Sequence, residues 1–215
     1  PGDVFVRNAP YNGGTHLPDI TVVTPVWDDA GVSVLFYTSA RGHHTDVGGL
    51  TPGSMPPDSR DIHDEGAYID NWKLVDQGRL REDETRNLLL GAKHPVRAVD
   101  INMADLRAQV ASCEKGAQEL RKMVGQFGLD VVQAYMRHVQ DNAEECVRRA
   151  IESLKDAEIT YKMDPDFDGN PRQISVKVRV DQAARSAVID FTGTTGQLAT
   201  NYNAPEPVTR AAVLY

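Results

Sequence analysis

Two apolar stripes of helical period, separated by a glycine-bracketed break, constrain this chain more than any other feature. Leu106, Val110, Cys113, Ala117, Leu120, Val124 and Phe127 recur at alternating steps of four and three residues, which lines them up along one side of a long helix. Gly125 and Gly128 bracket the break. A second stripe follows through Leu129, Val132, Met136, Val139, Ala143, Cys146 or Val147, Ala150 and Leu154. Asp130 and Gln133 stand at capping-box spacing near its start. Two amphipathic helices joined by so short a turn are expected to pack as an antiparallel hairpin, their stripes serving as core rather than as a cofactor box.

On either side of the stripes the period changes to two. DITVVTPVW at 19–27 and VSVLFYTSA at 32–40 are rich in β-branched and aromatic residues, and Asp28-Asp29-Ala30-Gly31 between them is turn chemistry. That predicts an antiparallel hairpin, with a short strand before it at 4–7 and a loop over 48–59, where Gly, Pro and Ser dominate. After Lys155, the residues Ile174, Val176, Val178 and Val180 alternate with polar ones, 181–185 turns, and 187–191 returns as a second hairpin. The expected fold class is α+β, with antiparallel β-hairpins at both ends flanking a long antiparallel helical hairpin and their strands sharing one sheet. Residues 1–215 read as one partial domain: a β-rich segment over 1–75, the helices over 100–155, and a hairpin with its loop over 157–203.

The formal charge of -8, with no run of Lys or Arg, argues against nucleic acid and anionic membrane surfaces as partners. No continuous apolar stretch reaches the roughly 18 residues of a membrane span, and no basic-then-apolar leader opens the chain. Cys113 and Cys146, the two cysteines, lie in helix-like stretches and are expected to be small buried apolar groups, which fits a reducing, cytoplasmic setting. A start at Pro1 and an end at Tyr215 inside a helix-like run from Val208 suggest a fragment of something larger.

Three of the six histidines sit at the mouth of the first hairpin, His16 before its first strand and His43 with His44 after its second. With Trp27 and Val32 closing the turn, an unbulged register sets His16 opposite His43 and Asp19 opposite Ala40, within cross-strand reach of both imidazoles. Two neutral imidazoles and a carboxylate suit a divalent metal such as Mn, Zn or Fe with positions left open. The competing reading is of hydrogen-bonded loop histidines that hold a turn together. Gly13, Gly14, Gly42, Gly48 and Gly49 would let backbone approach a bound group closely. Asp46 is either an acceptor that orients a ligand imidazole or a turn residue capping Gly48. Arg41 is a candidate for phosphate or carboxylate, or an ordinary surface ion pair. Asp46 and His44 are the nearest candidates for a general base. The loop TGTTGQLATNYNAP at 192–205 offers an anion cradle but lacks a P-loop lysine, so a structural loop is the better reading; Asn201 and Asn203 bind a carboxylate or their own backbone.

The stretches NAPYNGGTHLPDITVVTPVW, ARGHHTDVGGLTPGSMPP, DLRAQVASCEKGAQEL and GQFGLDVVQAYMRHVQDNAEE, with NYNAP downstream, resemble the hydantoinase B/oxoprolinase family, nearest to its ATP-dependent oxoprolinase branch. The resemblance runs from about Asp3 to Tyr215. It implies an ATP-binding, hydantoinase A-like half or subunit that activates a lactam or hydantoin carbonyl by phosphorylation. The B half would then complete ring opening, giving glutamate from 5-oxoproline, within an oligomeric assembly. Relatives that carboxylate acetone hold metal with a His-x-x-Asp pair and a further His followed by an acid and two glycines. Carried onto this chain, these fall on His16, Asp19 and His43, with Asp46 as the acid; the doubled histidine departs from that pattern and leaves His44 an alternative ligand. The B half continues beyond the position of Tyr215, so the fragment alone is expected to be inactive. N-methylhydantoin or a small ketone as substrate, and a docking role without chemistry, are the rival readings.

Overall fold

Asp28 decides how the first hairpin closes. Its carboxylate accepts the amide hydrogens of Val32 (2.8 Å) and Ser33 (3.2 Å), and its own amide donates to the Ser33 carbonyl. The turn therefore takes up both residues, and the second strand begins only at Val34. In the computed structural model, which describes residues 1–165 and 169–215, the hairpin consists of β2 (Asp19–Trp27) and β3 (Val34–His43), preceded by β1 (Val4–Arg7). The register differs from the expected one by three residues. Asp19 lies opposite His43 and Val22 opposite Ala40, with a bulge between Val26 and Trp27.

Two further strands join this sheet, β4 (Trp72–Asp76) and β5 (Arg79–Leu80), in the order β3-β2-β1-β4-β5. They are linked through Gln77 and Gly78, both at positive φ. A short helix α1 (Glu82–Leu90) follows, and Trp72 Nε1 donates to Thr85 Oγ1 on it at 3.0 Å. The long helix α2 (Val99–Phe127) lies against the even-numbered side of β2 and β3. Gln109 Nε2 donates to the carbonyls of Ile20 and Ala40, Cys113 Sγ approaches the Val22 carbonyl, and Gly116 leaves room for Thr38. The core beneath it gathers Val6, Ile20, Val22, Leu74, Leu89, Met103 and Leu106. Burial of such side chains stabilises by roughly 1.5 to 3 kcal/mol each, and the other side of the hairpin stays open.

This sheet, with residues 1–122 and 198–215, makes one compact unit; residues 123–197 make another. The second unit contains α3 (Leu129–Glu152), which starts just after Gly128 at φ 86°, and a sheet of β6 (Ala157–Met163), β7 (Arg172–Asp181) and β8 (Ser186–Asp190). The α+β class holds, but the strands of the two ends form two sheets rather than one, and the second sheet has three strands where the sequence reading placed two. The apolar stripe of α3 buries Val132 and leaves Met136, Val139 and Val147 exposed. Cys113 is buried as expected, whereas Cys146 is exposed. The final helix α4 spans Glu206–Leu214. Among the described residues, no helix is long and apolar enough to cross a membrane.

Candidate metal centre

Three devices, one a side chain and two of backbone, deliver the loop before β2 to the mouth of the hairpin. Asn8, buried just past β1, donates from Nδ2 to the carbonyls of Leu17 and Ala67 and accepts from the Ile69 amide, so one side chain ties three segments together. Gly14 donates to the Ala9 carbonyl, and a Cβ on it would lie 2.6 Å from the carbonyl oxygens of Asn8 and Ala9, a clash that only glycine avoids. The Asp19 amide donates to the His16 carbonyl at 3.0 Å, folding His16 back over the strand start.

These contacts bring His16, Asp19 and His43 together. One oxygen of Asp19 lies 2.9 Å from His16 Nε2 and the other 2.9 Å from His43 Nδ1, with the ring centroids 5.1 Å apart. Thr15 Oγ1 donates to the Asp19 oxygen that faces His16 at 2.6 Å. Burial alone would raise the Asp19 carboxyl, but the hydrogen bonds from Thr15 and His43 and the charges of the two imidazoles outweigh it and hold the group below the ordinary carboxylate value. One ligand atom from each of the three residues can be chosen so that all lie within 4.8 Å of one another. Two imidazole nitrogens and a carboxylate oxygen at that spacing fit a divalent ion of the Mn, Zn or Fe type and leave coordination positions open. The convergence expected from the sequence is present, though by another route: Asp19, not His16, is the cross-strand partner of His43, and His16 joins it from three residues upstream.

The other candidates lie outside this cluster of three, some of them close by. His44 is buried, with Nδ1 accepting from Asn102 Nδ2 and Nε2 donating to Gln109 Oε1, each at 3.1 Å. Burial, opposed by the Gln109 contact, lowers its pKa below the ordinary histidine value, so the ring stays neutral as a strut between β3 and α2. Asp46 accepts from the amides of Gly48, Gly53 and Arg97 and from Arg97 Nη1 at 2.6 Å, which makes it the turn residue of the two readings offered. Both side chains are engaged in these contacts. Arg41 is exposed on the open side of the sheet and donates from Nε to Thr21 Oγ1 at 2.9 Å. The glycines at 48 and 49 accommodate the chain itself, since a Cβ on Gly48 would meet the His94 carbonyl oxygen at 2.1 Å. In the loop after β8, the hydroxyls of Thr194 and Thr195 accept from the backbone amides of Ser175 and Gln173, a structural tether. Asn203 binds the carbonyls of Leu198 and Thr200, and Asn201 that of Pro56. Sequence reasoning passed over Thr15, Asn102 and Gln109, which carry no motif; a helical Asn and Gln seven apart on a buried stripe were the available signal.

Comparisons with known proteins identify the family and the fold. The model of the hydantoinase B/oxoprolinase family matches residues 1–215. Among curated relatives, 5-oxoprolinase 1 of Arabidopsis thaliana is 40% identical over all of this chain and 18% of its own length, and the 5-oxoprolinase of Dictyostelium discoideum is 38% identical over 17% of its length. This chain thus spans less than a fifth of those relatives. Among solved structures, an ATP-dependent caprolactamase from Pseudomonas jessenii superimposes with a TM-score of 0.85 at 26% identity, covering 99% of this chain and 36% of that one. A nucleotide-free acetone carboxylase shares the fold, with a TM-score of 0.75 at 19% identity over 94% of this chain and 28% of its own. The chain belongs to the hydantoinase B/oxoprolinase family.

Proposed function

We propose that this chain supplies a divalent metal centre for an ATP-dependent 5-oxoprolinase, which opens 5-oxoproline to glutamate after an ATP-binding, hydantoinase A-like half has placed phosphate on the lactam carbonyl. The observation that carries the reading is the meeting of His16, Asp19 and His43 within one ligand sphere on the open side of the hairpin. The names of the relatives support the substrate class, and their greater length leaves room for the ATP-binding half.

When bound, the ion would supply Lewis acidity that acidifies the water attacking the phosphate-activated carbon, whose ring C–N bond then breaks to free the amine before a second water releases phosphate and leaves glutamate. His16 and His43 would each offer a neutral imidazole nitrogen, and Asp19 the one negative charge of the set. Thr15 keeps Asp19 ionised and oriented. The Asn102–His44–Gln109 bridge fixes the end of β3 against α2 and so fixes His43 beside it. Without metal, His43 hydrogen-bonds one oxygen of Asp19 while His16 stands 2.9 Å from the other, so the test must read chemistry as well as structure.

Purified full-length assembly should release glutamate from 5-oxoproline only when ATP is present, and His16→Ala or His43→Ala should abolish that release. Absence of glutamate with the wild-type assembly rejects the substrate. Wild-type turnover in both variants, with normal assembly, would assign this segment a docking role instead.

A further inference from the structure

Successive same-side pairs along an antiparallel ladder are two residues, roughly 7 Å, apart. On the open side of β2 and β3, the pair next to Asp19–His43 is Thr21–Arg41, and the Ile20–Gly42 pair between them faces Gln109 of α2. Arg41 thus stands one step from the candidate metal ligands and on their side of the sheet. Thr21 is buried, and its hydroxyl takes up Arg41 Nε. The two terminal nitrogens of that guanidinium have no hydrogen-bond partner, and Arg41 has no carboxylate in salt-bridge range, among the described residues. Arg97 shows the contrast, its guanidinium spent on Asp46 and on the Gly48 and Gly49 carbonyls.

Across Thr21 on the other strand lies Arg7, completing a row of Arg7, Thr21 and Arg41. The Arg7 guanidinium donates to the carbonyls of Asn12 and Gly13, at the root of the loop that carries Thr15 and His16. It therefore holds the metal loop, while Arg41 keeps its terminal edge open. A guanidinium tied at Nε and free at its Nη atoms presents a planar, two-pronged donor suited to paired anionic oxygens.

We propose that Arg41, aimed by Thr21, binds an anionic oxygen group of the substrate and that this group is the carboxylate of 5-oxoproline; the inference rests on the function proposed above. In that molecule the lactam carbonyl and the carboxylate lie on opposite sides of the ring nitrogen. A ring with its carbonyl at the His16–Asp19–His43 cluster turns its carboxylate along the sheet, toward the next row. Arg41 then distinguishes carboxylate-bearing lactams from bare ones, and Thr21 is a positioning residue that acts through it.

The test uses full-length assembly with saturating ATP, measuring kcat and KM for 5-oxoproline and the inhibition constant of 2-pyrrolidone, the same ring without a carboxylate. Arg41→Met is expected to raise KM for 5-oxoproline by about tenfold or more, moving kcat and the 2-pyrrolidone constant far less. Thr21→Val should give a smaller rise in the same direction, and Arg41→Lys should recover part of the loss. An unchanged KM in Arg41→Met overturns the proposal, as does a parallel rise in KM and the 2-pyrrolidone constant. A fall in kcat at constant KM would assign the guanidinium to the transferred phosphoryl group and overturn the carboxylate assignment. A wild-type assembly inert toward 5-oxoproline removes the proposed function and this inference with it; an active wild type beside an unaffected Arg41→Met removes the inference alone.

Discussion

Asp19 and His43 face each other across the β2–β3 ladder, with a carboxylate oxygen of one 2.9 Å from Nδ1 of the other. The second oxygen of Asp19 meets His16 Nε2 and also accepts from Thr15. A single carboxylate therefore sets the spacing of both imidazoles. Thr15 would not itself ligate an ion but fixes one carboxylate oxygen of Asp19, a kind of outer contact whose loss costs about 10- to 100-fold in metal affinity. Thr15→Val is expected to weaken metal binding by that order, measured by competition with a chelator, while thermal unfolding of the metal-free protein changes little.

Asn8 tests the scaffold rather than the ligands. Replacing it by alanine strands the carbonyls of Leu17 and Ala67 and the amide of Ile69 in a buried place. Denaturant unfolding of Asn8→Ala should show a loss of about 2 to 3 kcal/mol or more, since each buried group left unpaired costs about 1 to 3 kcal/mol.

Gly48 lies at φ 94° with the His94 carbonyl oxygen 2.1 Å from where a Cβ would stand. The clash is with backbone and cannot be relieved by a rotamer change. Gly48→Ala should destabilise by at least about 2 kcal/mol in the same measurement, whereas Gly53→Ala, with φ 82° but open space around it, should cost only about 1 kcal/mol.

Asp64 gives a pH dependence with a definite sign. A hydrogen bond from Lys93, then the amides of Arg60 and Asp61, lower its carboxyl from 3.8 to about 2. Between those values the unfolded chain binds the proton and the folded chain does not. The contribution is whole above pH 3.8 and drains away as pH falls toward about 2. Unfolding followed from pH 5 to 2 should show a shallower acid slope in Asp64→Asn than in wild type.

The extent to which the sequence disclosed this molecule follows from how local each signal is. The first hairpin, and the histidines gathered at its mouth, were legible because strand alternation and turn chemistry are short-range, while the His-x-x-Asp pattern came from the family resemblance. The register was not, because it turns on Asp28 choosing the amides of Val32 and Ser33 and on a bulge at Trp27. The turn at Gln77-Gly78 is a weaker hairpin signal than Asn-Gly, which hid β4 and β5. Helical periodicity showed that α3 has an apolar side, but periodicity carries no information on what covers that side. His44 could be told from His43 only once α2 was in place, with Asn102 and Gln109 presented to its ring.

Metal analysis of the intact, full-length protein beside its His16→Ala variant bears most directly on the central claim. The account predicts about one divalent ion per chain in the wild type and loss of that ion in His16→Ala, with secondary structure unchanged. A wild type that takes up no stoichiometric metal from Mn, Zn or Fe, or a His16→Ala variant that retains it in full, would contradict it.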